Sequence, residues 1–124
     1  MYESLRSSQL VLRLGMSAVF LWFGVDKFIQ PQYWVHAWMP QWAQQFAQGV
    51  GMSVENVVFL IGIFEVLVAI SLATGFFSRM FASAAIAFLL TIVVTSGLSE
   101  ITVRDIGLIA ALTALVIWPE RRYA

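Results

Sequence analysis

The sequence has no cysteine, three prolines and one histidine, and only 11 % of its 124 residues are charged. Without cysteine the chain forms no disulfide, holds no metal through thiolate and relays no electrons through a dithiol, so any redox role has to use a bound small molecule or a partner. A soluble domain normally carries about a quarter charged residues. The shortfall excludes an ordinary soluble enzyme and a disordered tail. Seven basic residues balance seven acidic ones, which excludes a nucleic-acid binder that depends on a basic surface. One histidine cannot supply bis-histidine haem ligation, and His36 with Met39 is a weak substitute. Ligands for structural zinc are missing. No glycine-rich phosphate loop, nucleophile elbow or paired-carboxylate hydrolase site is present.

What the chain does have is apolar surface: 60 % of its residues are hydrophobic and the mean hydropathy is +0.85. A single domain of this length cannot bury that much internally, so a lipid bilayer is the expected solvent. Four apolar stretches, 10–29, 56–78, 80–98 and 101–118, are each close to the ~20 helical residues that cross the hydrocarbon core. The expected fold is all-α: a single domain over 1–124, a four-helix transmembrane bundle with an aromatic-rich interfacial segment between the first two spans. Asp26-Lys27-Phe28-Ile29-Gln30-Pro31 follows the first stretch in place of a small-x-small cleavage site, so that stretch reads as a span and not a signal peptide.

Boundary residues agree with this division. Pro31 ends the first helix. Ser53 caps the second, with Glu55 in its first turn opposing the helix dipole. Gly75 and Ser78 mark a tight link, and Ser96-Gly97 closes the third helix. For the fourth, Ser99 is one candidate N-cap, and Thr102 with Asp105 in a capping box is another; Pro119 stops it. Arg6, Arg79, Arg121 and Arg122 fall on the side shared by the N-terminus, the second link and the C-terminus, against Lys27 and Arg104 on the other. The positive-inside rule then places both termini in the cytoplasm.

In the outer segment, Trp34, Trp38, Trp42 and Phe46 recur every four residues, with Gln41, Gln44, Gln45 and Gln48 as polar neighbours. That spacing forms an apolar stripe on a helix, and Pro40 divides it into two short helices. Tryptophan favours the membrane interface. The segment reads either as an anchor or as a lid over the outer face.

Ionisable groups inside spans are costly and face the bundle interior. Here they are Arg13, Asp26, Lys27, Glu65, Arg104 and Asp105. Glu65, near the middle of the second stretch, is too short and too deep to reach water, so it has to be paired, protonated or beside a wet cavity. Helical phase puts Arg13, Ser17, Phe20, Gly24 and Lys27 on one stripe, Gly62, Glu65, Ala69 and Leu72 on a second, and Arg104, Gly107, Ala111, Ala114 and Trp118 on a third. Small residues on these stripes permit close helix approach. Thr91 and Thr95 lie near the depth of Glu65 as hydrogen-bond donors, and Asp26, off the stripe of Lys27, points to the interface or to another chain. Two readings follow. In one, Glu65, Arg104, Lys27, Thr91 and Trp22 line an outward-opening pocket, with Arg13 further away on the cytoplasmic side. In the other, the charges form an inter-helix salt bridge that only fixes packing. A proton or solute conduit would need a continuous polar path, which the apolar run after Asp105 does not offer.

The run from Arg13-Leu14-Gly15 through Phe23-Gly24-Val25-Asp26-Lys27-Phe28 resembles the opening of DoxX-like membrane proteins. Gly62-Ile63-Phe64-Glu65, followed by Leu72-Ala73-Thr74-Gly75 and Arg79, is similar to their second span, and Thr102-Val103-Arg104-Asp105-Ile106-Gly107-Leu108 to the opening of their fourth. The resemblance implies a four-helix membrane bundle in a prokaryotic plasma membrane, and a subunit associated with quinone-linked redox chemistry, since some relatives belong to thiosulfate:quinone oxidoreductases. It also allows a non-enzymatic scaffold or assembly factor. It marks Arg13, Lys27, Glu65, Arg104 and Asp105 as the positions to watch; in the pocket reading Glu65 accepts or donates a proton and Arg104 or Lys27 holds negative charge on the ligand. A quinone, a redox partner protein and a homo-oligomer are the implied associates, beside the lipid. The Trp-rich outer segment and the lack of cysteine depart from the family pattern, which sets thiol relay aside.

Overall fold

The computed structural model of the chain describes residues 2–118, apart from the side chains of Tyr2, Glu3, Ala37 and Trp38. These residues form six helices: α1 (Tyr2–Ile29), α2 (Pro31–Trp38), α3 (Gln41–Gly49), α4 (Val54–Thr74), α5 (Ser78–Ser96) and α6 (Glu100–Val116). The all-helical expectation holds. By length and composition, three segments can cross a membrane: Ser4–Ile29, Val54–Thr74 and Ser78–Ser96. The stretch expected as a fourth span is the 17-residue α6, about 25 Å long at 1.5 Å per residue, shorter than the ~30 Å hydrocarbon core. α1 starts eight residues before the apolar stretch that marked it, because Ser4, Leu5, Arg6 and their neighbours continue the helix as a polar first section.

The caps show why the helices stop where they do. Ser53 accepts a hydrogen bond from the Asn56 amide at the start of α4. Gly75 (φ 82°) closes the same helix in the left-handed conformation, with its N–H on the Ser71 carbonyl, a C-terminus suited to glycine. At α6 the two cap candidates resolve in favour of Ser99: its hydroxyl accepts from the Thr102 amide while the Thr102 hydroxyl accepts from the Ser99 amide. Thr102 is therefore the third residue of the helix and not its cap, and Asp105 is released for another role. Pro40 separates α2 from α3 as expected. Pro119, Arg121 and Arg122 lie outside the described residues.

α1, α4, α5 and α6 run alternately up and down, with α4 between α1 and α5, and α6 packed on α5 and α1. Met16, Phe20, Val68, Leu72, Ala85, Leu89 and Leu112 form the shared core. α1 and α4 approach closest. A Cβ on Gly24 would lie 2.9 Å from the Gly62 carbonyl oxygen, and one on Gly62 would lie 2.9 Å from that of Gly24; both positions need glycine because the backbones touch. Ser17 adds a 2.7 Å hydrogen bond to the Ala69 carbonyl across the same crossing. At the end away from the N-terminus, α2 and α3 fold onto α4, burying Trp34, Val35 and Met39 against Val58.

The Trp-rich segment between α1 and α4 is not one stripe. Trp34 is buried, whereas Trp42 and Phe46 are 60 % and 68 % exposed, because the break at Pro40 turns α3 relative to α2. The side chain of Trp38 lies outside the described residues. Trp34 covers the bundle end, and Trp42 and Phe46 present a face suited to the bilayer interface.

Candidate functional site

The Gly24–Gly62 crossing aligns two charges. Lys27 and Glu65 each stand one turn beyond their glycine on antiparallel helices. Side chains lean toward the N-terminus of their own helix, so on this pair they converge. Lys27 Nζ reaches Glu65 Oε1 at 2.5 Å, and the two side chains are 3 % and 4 % exposed. The expected interior stripes on α1 and α4 are thus present, and the cation that meets Glu65 is Lys27.

Aromatic rings enclose the pair. Lys27 Nζ sits 3.9 Å from the Trp34 ring centroid and 5.9 Å from that of Phe23. Trp34 and Phe23 meet edge-to-face. The Trp34 indole N–H donates to Asp26 Oδ2 at 2.9 Å, and Gln30 donates to Asp26 Oδ1. Asp26 therefore turns neither to the interface nor to another chain: one residue from Lys27, it faces α2 and fastens Trp34 over the ammonium group. Gln32 on α2 also bonds Glu55 on α4.

A second ion pair stands beside the first. Asp105 is buried, and Arg104, with 41 % of its side chain exposed, reaches it at 3.5 Å. The Arg104 guanidinium lies over the Phe23 ring at 4.4 Å. The inward face of α6 is Thr102, Asp105, Leu112 and Leu115, one position away from the stripe of Arg104, Gly107 and Ala111 expected from its small residues. Arg104 thus stands at the mouth and Asp105 inside.

These groups border a narrow cleft of about 370 Å³ including its open mouth, lined among others by Phe23, Lys27, Trp34, Glu65, Arg104 and Asp105; the free space within it has room for about one water molecule. Two expected lining residues, Trp22 and Thr91, are elsewhere, Thr95 is not turned to Glu65, and Arg13 is distant as expected. Trp22 is 70 % exposed, because α1 turns it away from Lys27. Thr91 is on the outward face of α5 and donates to the Ala87 carbonyl of its own helix, and Thr95 does the same to Thr91. Arg13 packs at the opposite end, where its Nη1 lies 2.9 Å from the point a Cβ on Gly75 would occupy. Trp34 and Phe23 are the walls the sequence reading passed over. The spacing of Phe23 four residues before Lys27 was the available signal; that α2 folds back across α1 has no counterpart in periodicity.

Chemically, the cleft offers one accessible guanidinium, two buried carboxylates and an ammonium within aromatic walls. No three histidine, aspartate or glutamate side chains gather as metal ligands among the described residues.

Among curated proteins and among solved structures there is no significant match. The DoxX family model matches residues 8–98, which takes in Lys27, Trp34 and Glu65 and stops short of Arg104 and Asp105. With most of its length matched, from α1 through α5, the chain belongs to the DoxX family of membrane proteins.

Proposed function

We propose that this chain is a small membrane subunit whose cleft receives the oxygen-bearing head of a quinone-type ligand. The observation that carries this reading is the half-exposed Arg104 guanidinium at the mouth of a cleft whose inner wall is the buried Lys27–Glu65 pair. Intramembrane charges of this kind mark ligand and proton paths more often than they add stability. Phe23 and Trp34 offer flat apolar walls for a ring, Arg104 donates to a carbonyl oxygen, and Glu65 is the group that exchanges a proton with the ligand. Reduction of a quinone to a quinol takes two electrons and two protons. A reduced redox partner protein, or a reduced substrate that is oxidised in the same step, supplies the two electrons, since the chain has no cofactor motif. In the same reading α6 serves as the fourth span, the N-terminal end faces the cytoplasm and the cleft faces outward across a prokaryotic plasma membrane.

The test uses the full chain in mild detergent. Bound quinones are extracted and identified, and a short-chain quinone is titrated while tryptophan emission is followed. The expected result is saturable quenching that Trp34→Phe largely removes, with affinity about tenfold weaker in Arg104→Gln, the size of one lost charge-assisted hydrogen bond. No extracted quinone, together with a titration that Arg104→Gln does not alter, rejects the reading.

A second reading, a scaffold or assembly factor, is favoured by a different observation: the four charges satisfy one another in two ion pairs, and the cleft between them is narrow, with room for about one water molecule. In that case the chain co-isolates with a partner protein or with a second copy of itself, and Arg104→Gln leaves that association intact.

A further inference from the structure

Among the helices that line the cleft, α2 is held differently from the rest. Its eight residues are too few to be stable alone, and its N-terminus has no side-chain cap. Both of its ends are breaks: Gln30 (φ −130°, ψ 62°) before Pro31, and the extended Met39 before Pro40. Its apolar contacts, Trp34, Val35 and Met39 on Val58, form a cluster separate from the core shared by α1, α4, α5 and α6. Such satellite clusters open at lower cost than a core. Two polar tethers complete the attachment. The Trp34 indole N–H donates to Asp26 Oδ2 at 2.9 Å, and Gln32 donates to Glu55 on α4. Asp26 also accepts from Gln30, at the break itself, so one carboxylate on α1 holds both the start of α2 and the ring one turn along it.

The arrangement leaves no room for a ring. Trp34 lies over Lys27 Nζ at 3.9 Å, already in contact, and the free space of the cleft takes about one water molecule. A planar ligand therefore needs one wall to move. α1 and α4 cannot part without separating the Gly24–Gly62 backbone contact. Moving α6 would draw Leu112 and Leu115 out of the shared core. Lifting α2 costs its two tethers and the small cluster around Val58, and nothing of that core.

We infer that α2 is a latched lid and that Asp26 is its latch: a planar ring enters between Lys27 and Trp34 when the Trp34–Asp26 bond breaks and α2 pivots about Gln30–Pro31. Trp34 then rests on the far face of the ring as the outer wall of the site. Lys27 exchanges its contact with the indole for one with the ligand, so that contact is replaced and not lost. The bond to Asp26 is not replaced. Breaking it lowers the apparent affinity by the fraction of molecules whose lid is open. Asp26 touches no ligand in this arrangement; it is a positioning residue that sets affinity through Trp34. The inference rests on the quinone reading for the identity of the ligand, whereas the latch is measured with no ligand added.

The chain has no cysteine, so an introduced cysteine is its single thiol. Val58 lies beneath α2 and Ala82 lies in the shared core; both are fully buried, each one turn inside its helix. Val58→Cys and Ala82→Cys, each with and without Asp26→Ala, are labelled with a charged maleimide in the full chain in mild detergent. Asp26→Ala is expected to accelerate labelling at 58 about tenfold or more, the size of one hydrogen bond to a charged group, and to leave labelling at 82 unchanged. Asp26→Asn keeps an acceptor oxygen and gives a smaller acceleration, which decides the matter if Asp26→Ala does not fold. A short-chain quinone, titrated by tryptophan emission, is expected to bind Asp26→Ala more tightly by the same factor as the labelling rises. Unaltered labelling at 58, equal acceleration at 58 and 82, or a quinone affinity that Asp26→Ala leaves unchanged or weakens, each overturns the inference. Labelling as expected with no quinone bound by any variant supports the lid and rejects the quinone reading.

Discussion

Replacing Glu65 by glutamine tests the centre of the molecule most directly. At 2.5 Å the gross attraction between Lys27 and Glu65 is about 7 kcal/mol at an effective dielectric constant near 20. Desolvation of the two ions, several kcal/mol each, offsets most of it. The intact pair therefore contributes little net stability, but removing one member leaves the other charged and buried, at a cost of about 3–5 kcal/mol. Lys27 keeps its contact with the Trp34 ring at 3.9 Å in parent and variant alike, so that contact cancels from the difference. The expected loss for Glu65→Gln is thus about 3–5 kcal/mol. Adding Lys27→Met removes the stranded ammonium and recovers more than half of it. Adding Arg104→Gln recovers nothing, since Arg104 pairs with Asp105. Reversible unfolding in mixed micelles, followed by tryptophan emission across this double-mutant cycle, measures all three quantities. A Glu65→Gln protein within about 0.5 kcal/mol of the parent, the range of an ordinary surface change, or equal rescue by Arg104→Gln and Lys27→Met, refutes the assignment of the pair.

Gly62→Leu places a side chain against the Gly24 carbonyl oxygen and the Phe28 ring, each 2.9 Å from the first added atom; it is expected to cost at least 1–3 kcal/mol of overpacking, about the usual range, read as a lower melting temperature. Ser99→Ala removes the α6 cap and costs about 1 kcal/mol, visible as faster amide exchange at Thr102 and Val103 than in the parent. Trp34→Phe removes the bond to Asp26 and exposes the Lys27 pair to solvent, so a water-soluble quencher reaches a fluorophore placed at residue 58 in the variant and not in the parent. Trp22→Phe and Thr91→Val, both on exposed faces, leave stability and ligand titration unchanged, and a marked effect of either shows that the cleft is wrongly drawn.

Residues that announce themselves by chemistry were legible in the sequence. The interior stripes of α1 and α4 follow from Gly24, Lys27, Gly62 and Glu65, because a charge and a glycine one turn apart leave few faces that both can share. The caps at Ser53 and Gly75 follow from local hydrogen bonding and from the left-handed conformation. The phase of α6 did not, since Gly107, Ala111 and Ala114 look like a packing stripe while the buried face is set by Thr102, Leu112 and Leu115. Small residues permit contact without requiring it. On α5, Thr91 and Thr95 satisfy their hydroxyls on their own helix, which lets them face lipid at low cost and hides them from a polarity argument. Trp34 was readable as interfacial and not as the cover of Lys27, because the fold-back after Pro31 is a tertiary event.

The glycine crossing also governs which parts of the molecule are free to slide. α1 and α4 are locked along their axes twice: their backbones touch at Gly24 and Gly62, and the converging Lys27 and Glu65 side chains resist displacement in both directions. A shift by one helical turn, about 5.4 Å, would separate the glycines and the charges together. The two helices therefore act as one stiff post. Motion that widens the cleft has to come from the elements hinged to that post, α2 rotating about Gln30–Pro31 or α6 moving with Arg104 and Asp105. Shear is closed to the α1–α4 pair, so a spin label on α6 paired with one on α4 changes separation when the cleft opens, while a pair on α1 and α4 stays fixed.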